Sequence, residues 1–153
     1  MSAITCRMAT VEDCTALARL RAAMEIGRHP ERSADADAYS HAFLAAEEPE
    51  VAAGRHRYWL AEADGEAVAC ALLVWIVLPP NFAAFARKRG FVSSVYTVPE
   101  YRRQGIARRL MTDLLAWAEA EGLSRLILWS SDMGRPLYED LGFIPSRGME
   151  LNL

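Results

Sequence analysis

The stretch that most constrains the fold is Val98-Pro99-Glu100-Tyr101-Arg102-Arg103-Gln104-Gly105-Ile106-Ala107-Arg108-Arg109, where an apolar strand stops at a proline and a helix begins under four arginines. Pro99 cannot donate to a sheet ladder, so the strand running from Phe91 to Val98 ends there. From Ile106 onward Leu110, Met111, Leu114, Leu115 and Ala118 trace one helical face, and Gly122 stands where the helix stops. The helix start breaks a local rule. Unpaired N–H groups and the macrodipole make a helix N-terminus positive, so Arg102, Arg103, Arg108 and Arg109 are unfavourable there. The conflict disappears if a polyphosphate sits on those N–H groups, with Gly105 and the small Ala107 letting the backbone come close and the arginines forming charge-assisted bonds around it. A solvated basic loop is the plainer alternative.

The 153 residues fit one domain, 1–153, with a sizeable core, and 52% hydrophobic with 24% charged residues is a globular balance. A net charge of −3 argues against a general nucleic-acid binder, because the basic residues are only locally concentrated. Cys6, Cys14 and Cys70 form no CxxC pair and are odd in number, which fits a reducing compartment. The N-terminal MSAITCRMATVEDC has no signal-peptide pattern, and the apolar run from Ala67 to Leu78 is too short to span a bilayer as a helix. The expectation is a cytoplasmic protein with no membrane partner.

Along the chain, Ile4, Cys6 and Met8 alternate with polar residues as a first strand, and Thr10 with Asp13 resembles a capping box. A helix follows to Gly27, then a loop through GRHPERSADAD and a second helix from Ala38 to Glu47. Arg57 to Ala63, the turn Asp64-Gly65, and Glu66 to Leu78 read as a hairpin with a type I′ turn. Asn81 to Gly90 is ambiguous between a loop and a helical turn. Leu126 to Trp129 reads as a short buried strand, Gly134 to Leu141 as a brief helix ended by Gly142, and Phe143 to Leu153 as one or two closing strands. This order describes a mixed α/β sandwich with a partly antiparallel sheet.

Two motifs carry a family resemblance. Arg102, Gly105 and Ala107, directly after Val-Pro-Glu-Tyr, resemble the acetyl-CoA-binding motif of the GCN5-related N-acetyltransferases (GNAT). Downstream, Pro136-Leu137-Tyr138-Glu139-Asp140-Leu141-Gly142-Phe143 is similar to that family's closing motif, in which a tyrosine before a Gly-Phe pair stands near the thioester sulfur. The resemblance implies a central, mostly antiparallel twisted sheet, splayed between strands 4 and 5 and flanked by about four helices. Walker and dinucleotide-binding loops fit worse, because the turn has neither a Gly-Lys-Ser/Thr ending nor three spaced glycines.

In chemical terms the resemblance implies transfer of the acetyl group of acetyl-CoA to a primary amine of a small molecule, or to a protein amine, by direct attack in a ternary complex. The pyrophosphate falls to the N–H groups of Arg103, Gln104, Gly105, Ile106, Ala107 and Arg108, helped by the side chains of Arg102, Arg103 and Arg108, with Arg109 left to solvent. The pantetheine arm is expected on the main chain of Tyr96, Thr97 and Val98, by strand addition. An N–H of this strand would face the thioester oxygen. Tyr138 takes the part of general acid, a phenol of pKa about 10 protonating a thiolate of about 8.5. Asp132 stands where many relatives have an asparagine that orients the cofactor arm, and offers a carboxylate base instead; Glu62 and a water relayed by Ser93 or Ser94 are the other candidates.

No metal is implied, since His29, His41 and His56 lack ligand spacing, and Cys70 reads as a core residue. Trp59, Trp75, Trp117 and Trp129 read as core, with Trp59 and Trp75 also able to line an acceptor pocket. The acidic excess from Glu31 to Glu50 is either a lure for a cationic acceptor or a solvated helix face. Arg87-Lys88-Arg89 points to an acidic acceptor or to the adenosine 3′-phosphate. A homodimer is expected from the family alone. The alternative function is a non-catalytic acyl-CoA-binding sensor or interaction module, which would need the arginine turn but not Tyr138.

Overall fold

A computed structural model describes residues 3–83, 85 and 87–153. Among them the order is β1 (Ile4–Met8), α1 (Cys14–Arg28), α2 (Ala36–Ala52), β2 (His56–Ala63), β3 (Glu66–Leu78), β4 (Arg87–Thr97), α3 (Ile106–Ala120), β5 (Leu123–Ile127) and α4 (Arg135–Asp140). The five strands form one sheet in the order β1-β2-β3-β4-β5, antiparallel except for the parallel pair β4/β5. This is the mixed α/β arrangement expected from the sequence. Asp64 and Gly65 turn the β2–β3 hairpin with φ of 52° and 80°, the left-handed pair that a type I′ turn requires.

Strand alternation sends side chains to two cores. On one face Trp59, Ala61, Ala69, Leu73 and Val92 meet the buried stripe Ile106, Leu110, Met111, Leu114 and Ala118 of α3. On the other, Tyr58, Leu60, Cys70 and Leu72 meet Leu17 and Leu20 of α1 and Phe43 of α2. Each fully buried large apolar side chain stabilises the fold by about 1.5–3 kcal/mol, so the stripe at α3 spacing is what holds that helix, and its N-terminus, against the sheet. Trp59 and Trp75 both pack on Trp117 of α3, at 5.8 and 5.2 Å between ring centroids, and so serve this core rather than an acceptor pocket. Trp129 departs from its expected core position: it is 71% exposed and lies against Phe91.

Several boundaries differ from the sequence reading. The segment Pro30–Asp35 winds as a 3-10 helix, and α2 starts earlier and runs through Pro49, whose carbonyl accepts the capping N–H of Ala53. β5 begins at Leu123, directly after Gly122 turns the chain at φ 73°, and ends before Trp129. Residues 143–153 contain no strand, in contrast to the expected closing strands. Pro145 and Gly148 interrupt their apolar pattern, and no neighbouring strand supplies a ladder.

An ion-pair fork fastens β1 to α1. Arg7 donates to both carboxylate oxygens of Asp13, each at 2.8 Å, and to Glu62 on β2 at 2.9 and 3.1 Å. Asp13 also accepts the Thr10 N–H at 2.7 Å, one half of the expected capping box. These bonds, that of Arg7 first, hold the Asp13 carboxyl down at about 2. Protons therefore bind the unfolded chain more readily, so the contribution of Asp13 to stability is complete above its ordinary value of 3.8 and lost as the pH falls through about 2. Thermal melts across this window should show a shallower acid slope for Asp13→Asn than for the wild type; equal slopes would remove the fork from the account.

Gly90 sits where β4 meets β5. A Cβ there would clash with Leu126, and would lie 2.7 Å from Leu73 and 2.9 Å from Leu123. Overpacking of this kind typically costs about 1–3 kcal/mol, so Gly90→Ala should lower the urea midpoint without altering the slope of the transition.

Candidate active site

The parallel ladder between β4 and β5 runs only from Lys88/Leu123 to Phe91/Ile127, while β4 continues to Thr97 against β3 alone. Beyond Phe91 the two strands part and leave one edge of β4 open. In the open stretch β4 carries a bulge, since Leu72 and Cys70 of β3, two apart, face Ser93 and Tyr96, three apart. Ser94 occupies the bulge with φ 55°, a left-handed conformation uncommon outside glycine, and is the one buried polar residue among those described. Its carbonyl accepts the Cys70 thiol at 3.4 Å; burial pushes that thiol up to about 12, so it serves as a neutral donor. The two serines that interrupt an otherwise apolar strand were the sequence signal for this bulge.

At the end of β4, Pro99–Tyr101 makes a 3-10 turn and the chain swings through two left-handed residues, Arg103 at φ 63° and Gly105 at φ 76°, into α3. The first bond into the helix is Arg109 N–H to the Gly105 carbonyl, at 3.1 Å. The N–H groups of Ile106, Ala107 and Arg108 therefore have no backbone acceptor, as expected of a helix's first turn. Burial of Ile106 at 2% exposure fixes where they point. Alternating left-handed turns before a helix form a concave nest of N–H groups suited to an anion.

The four arginines divide into different roles. Arg102 donates from Nε to the Thr97 carbonyl at 3.0 Å and lies 5.8 Å from the Tyr96 ring centroid, while Gln104 reaches back to the Glu100 carbonyl at 3.4 Å. Arg108 pairs with Asp140 of α4 at 2.8 Å, tying the closing helix to the turn. Arg109 is exposed, as expected, and also donates to the Ile4 carbonyl at 3.1 Å, a brace to β1. Arg103 is the member left with no partner among the described residues.

The strand-addition expectation needs a correction at Val98. Its N–H donates to Val68 at 2.9 Å and its carbonyl accepts the Tyr101 N–H at 3.0 Å, so neither is free for a ligand. Main-chain groups alternate in direction along a strand, so with Val98 turned to β3 the groups of Thr97 turn to the opened edge, where its carbonyl already accepts Arg102 Nε and its N–H is left for a ligand.

Tyr138 lies on α4, packed edge-on against Phe143 at 5.9 Å, with Gly142 at φ 93° making the turn between them. Its hydroxyl has no hydrogen-bond partner among the described residues, and burial pushes its pKa up, which keeps the phenol protonated at neutral pH. The two base candidates fare differently. Both Glu62 oxygens are occupied by Arg7, and β2 is separated from the opened edge of β4 by all of β3, so the fold does not bring Glu62 to Tyr138. Asp132 is exposed in the turn between β5 and α4, near Arg135.

Acidic residues of the α1–α2 region are largely used within the fold. Asp35 pairs with Arg32 at 2.8 Å and Glu50 with Arg55 at 2.6 Å, while Glu47 accepts from His56 and from the buried Tyr58 hydroxyl at 2.8 and 2.9 Å. That favours the ordinary helix-face reading over a lure for cations. A mostly apolar cavity of about 300 Å³ lies beside them, between Ala22, Ile26, His29 and Tyr39. A larger cleft of about 570 Å³ follows the outer edge of β5, lined by Leu126, Leu128, Tyr138 and Phe143 among others. No group of three metal-ligating side chains occurs among the described residues, and no described helix is long and apolar enough to cross a membrane.

Comparison with known proteins agrees with this geometry. Residues 19–143 match the model of the acetyltransferase (GNAT) family. The glucosamine 6-phosphate N-acetyltransferase of Trypanosoma brucei brucei is 34% identical over 79 residues, 51% of this chain and 54% of that protein, so the chain spans about half the length of this curated relative. A GCN5-related N-acetyltransferase from Ralstonia eutropha JMP134 superimposes with a TM-score of 0.83 at 28% identity, covering 99% of each chain. A predicted acetyltransferase from Clostridium acetobutylicum, solved with acetyl-CoA, gives 0.82 at 25% identity over 98% of this chain and 96% of that one.

The α3 turn yields a direct test. A Cβ at Gly105 meets nothing within 4 Å, so a side chain there displaces no packed atom, although φ of 76° adds local backbone strain beside the carboxylate that Gly105→Glu sets at the turn. Calorimetric titration should give micromolar acetyl-CoA binding to the wild type and none to Gly105→Glu with an unchanged circular dichroism spectrum. Equal binding by both would return the turn to a solvated loop.

Proposed function

Because the chain belongs to the acetyltransferase (GNAT) family, we propose that it transfers the acetyl group of acetyl-CoA to a primary amine of a small molecule. The observation that carries this reading is the open edge of β4 ending at an anion nest at Gly105, with the helix that bears the unpartnered phenol of Tyr138 tied to that turn by Arg108 and Asp140. The residues fit the co-substrate: free N–H groups at Ile106, Ala107 and Arg108, with the unpaired Arg103, suit its pyrophosphate. The Thr97 N–H suits an amide carbonyl of the arm, as in a strand added to an exposed edge.

In the transfer the amine nitrogen bonds to the acetyl carbon, the carbon–sulfur bond breaks, and the sulfur takes a proton. Tyr138 is the general acid of this reading: burial keeps the phenol in its neutral, proton-bearing form, and its unpartnered hydroxyl is available to a thiolate that forms beside it. The bulge at Ser94 interrupts the ladder where charge develops on the thioester oxygen, so a freed N–H there takes the part of oxyanion donor. With Glu62 held in the Arg7 fork, the proton of the incoming ammonium falls to Asp132 or to a water at Ser93, and Asp132 also remains the candidate partner of the cofactor arm.

The reading takes residues 1–153 as one catalytic domain. It sets the protein in the cytoplasm, a compartment suited to three unpaired cysteines. It also assembles the chain as a homodimer, supported by the outer edge of β5, which pairs with no strand among the described residues, and by the exposed Met149, Leu151 and Leu153 that follow it.

Removing the acid discriminates catalysis from mere acyl-CoA binding. Tyr138→Phe should lower kcat for thiol release by about 100-fold, the usual scale for a general acid, while acetyl-CoA affinity stays within twofold. A variant as active as wild type would end the role of Tyr138. Absence of thiol release from wild type over a broad amine panel, with acetyl-CoA still bound, would favour the sensor.

A further inference from the structure

The sheet face opposite α3 carries an unneutralised cationic cluster at the end of β4 remote from the phosphate turn. Gly90 turns its Cβ position toward Leu73, Leu123 and Leu126 of the α3 core, so its neighbours Arg89 and Phe91 turn to the opposite face. Arg89 and Arg125 are direct register partners across the parallel ladder, and Arg87 lies two residues along β4 on the same face. Strand geometry sets these Cα atoms about 5 and 7 Å apart. Like charges directly opposite on neighbouring strands are unfavourable, yet among the described residues no carboxylate pairs with any of the three. Arg87 donates to the Pro79 carbonyl at 3.1 Å; among the described residues Arg89 and Arg125 have no acceptor. Next to the cluster, Phe91 and Trp129 stack edge-on at 4.6 Å, with Trp129 mostly exposed.

Position along β4 separates the two readings of these arginines. Arg87 and Thr97 are ten residues apart, about 30 Å of extended strand, and the phosphate turn lies past Thr97. An adenosine 3′-phosphate is attached next to the pyrophosphate, so it cannot reach Arg87 or Arg89. An arm laid along β4 from that turn would instead direct its thiol end toward Phe91, where the strands rejoin and the cluster begins.

We propose that Arg87, Arg89 and Arg125 bind a phosphate group on the acceptor, so that the substrate is a small phosphorylated amine whose nitrogen lies toward Phe91 and Trp129. This rests on the acetyl-transfer reading above and names its substrate class. Three arginines whose Cα atoms are about 5 and 7 Å apart match a single dianion with bidentate bonding, not an extended acidic segment. The Arg89 guanidinium is also pushed below its ordinary value by desolvation and by Arg87 and Arg125, a repulsion that a bound dianion would relieve.

The test uses CoA-saturated wild type, which occupies the phosphate turn, titrated with O-phosphoethanolamine against ethanolamine and with an amino-sugar 6-phosphate against the bare amino sugar. At least one phosphorylated member should bind tenfold or more tightly than its partner and be acetylated with tenfold higher kcat/KM. The double variant Arg89→Gln/Arg125→Gln should erase that preference, keep its acetyl-CoA affinity, and melt no lower than wild type because a repulsion is removed. Equal binding within both pairs, a preference that survives the double variant, or faster acetylation of an acidic peptide than of either phosphorylated amine would overturn the proposal while leaving acetyl transfer standing. Loss of acetyl-CoA binding by the wild type itself would overturn the underlying reading instead.

Discussion

The parting of β4 from β5 is the constraint on which the rest of the molecule depends. Four parallel pairs hold the strands together up to Phe91, and the absence of a side chain at Gly90 lets β5 and its leucines close onto the α3 core there. Past that point β4 is held by β3 alone, and its other edge carries main-chain donors and acceptors that must be satisfied by something. The bulge at Ser94 falls in this stretch, with a buried thiol donating to its carbonyl. An opened edge inside a sheet is a template for an added strand, and the bulge at Ser94 and the turn at Gly105 lie along it or at its end.

Electrostatics follow the same line. The protein is acidic as a whole, yet many acidic side chains of the α1–α2 region and of the β1–β2 edge are taken up in pairs such as Arg7–Asp13, Arg7–Glu62 and Arg55–Glu50. Two groups of cations without a carboxylate partner among the described residues lie toward the two ends of β4: Arg103 with the first N–H groups of α3 at one, and the Arg87, Arg89 and Arg125 cluster at the other. Exposed pairs of the first kind contribute little to stability, about 0–1 kcal/mol each, but they remove competing charge from the surface around the cleft. Arg108 and Asp140 add a mechanical link, since they hold the helix bearing Tyr138 against the helix whose N-terminus forms the nest.

Local patterns in the sequence were legible where one element supplies its own signal. The β2–β3 hairpin, the apolar stripe of α3, and the stops at Gly122 and Gly142 follow from spacing and from backbone conformations that Gly adopts at no steric cost. Readings failed where the deciding partner is remote. Glu62 is an exposed strand carboxylate in sequence, but Arg7 binds both its oxygens. Val98 looked available to a ligand until β3 and the Pro99–Tyr101 turn used both of its main-chain groups. Residues 143–153 alternate like a strand, and a strand exists only where another edge is there to pair with it.

By itself, then, the sequence determined the order of elements as far as Gly142, the helix start under arginines after Pro99, and the two motifs that carry the family resemblance, because these depend on contacts within a dozen residues. Tertiary structure alone decided which arginines stay free and which serve as braces, where β4 loses its neighbour, and that Arg125 comes to lie beside Arg89. Those outcomes depend on strand register, and register is set by packing between segments far apart in the chain, where one residue of slip would turn each side chain to the opposite face.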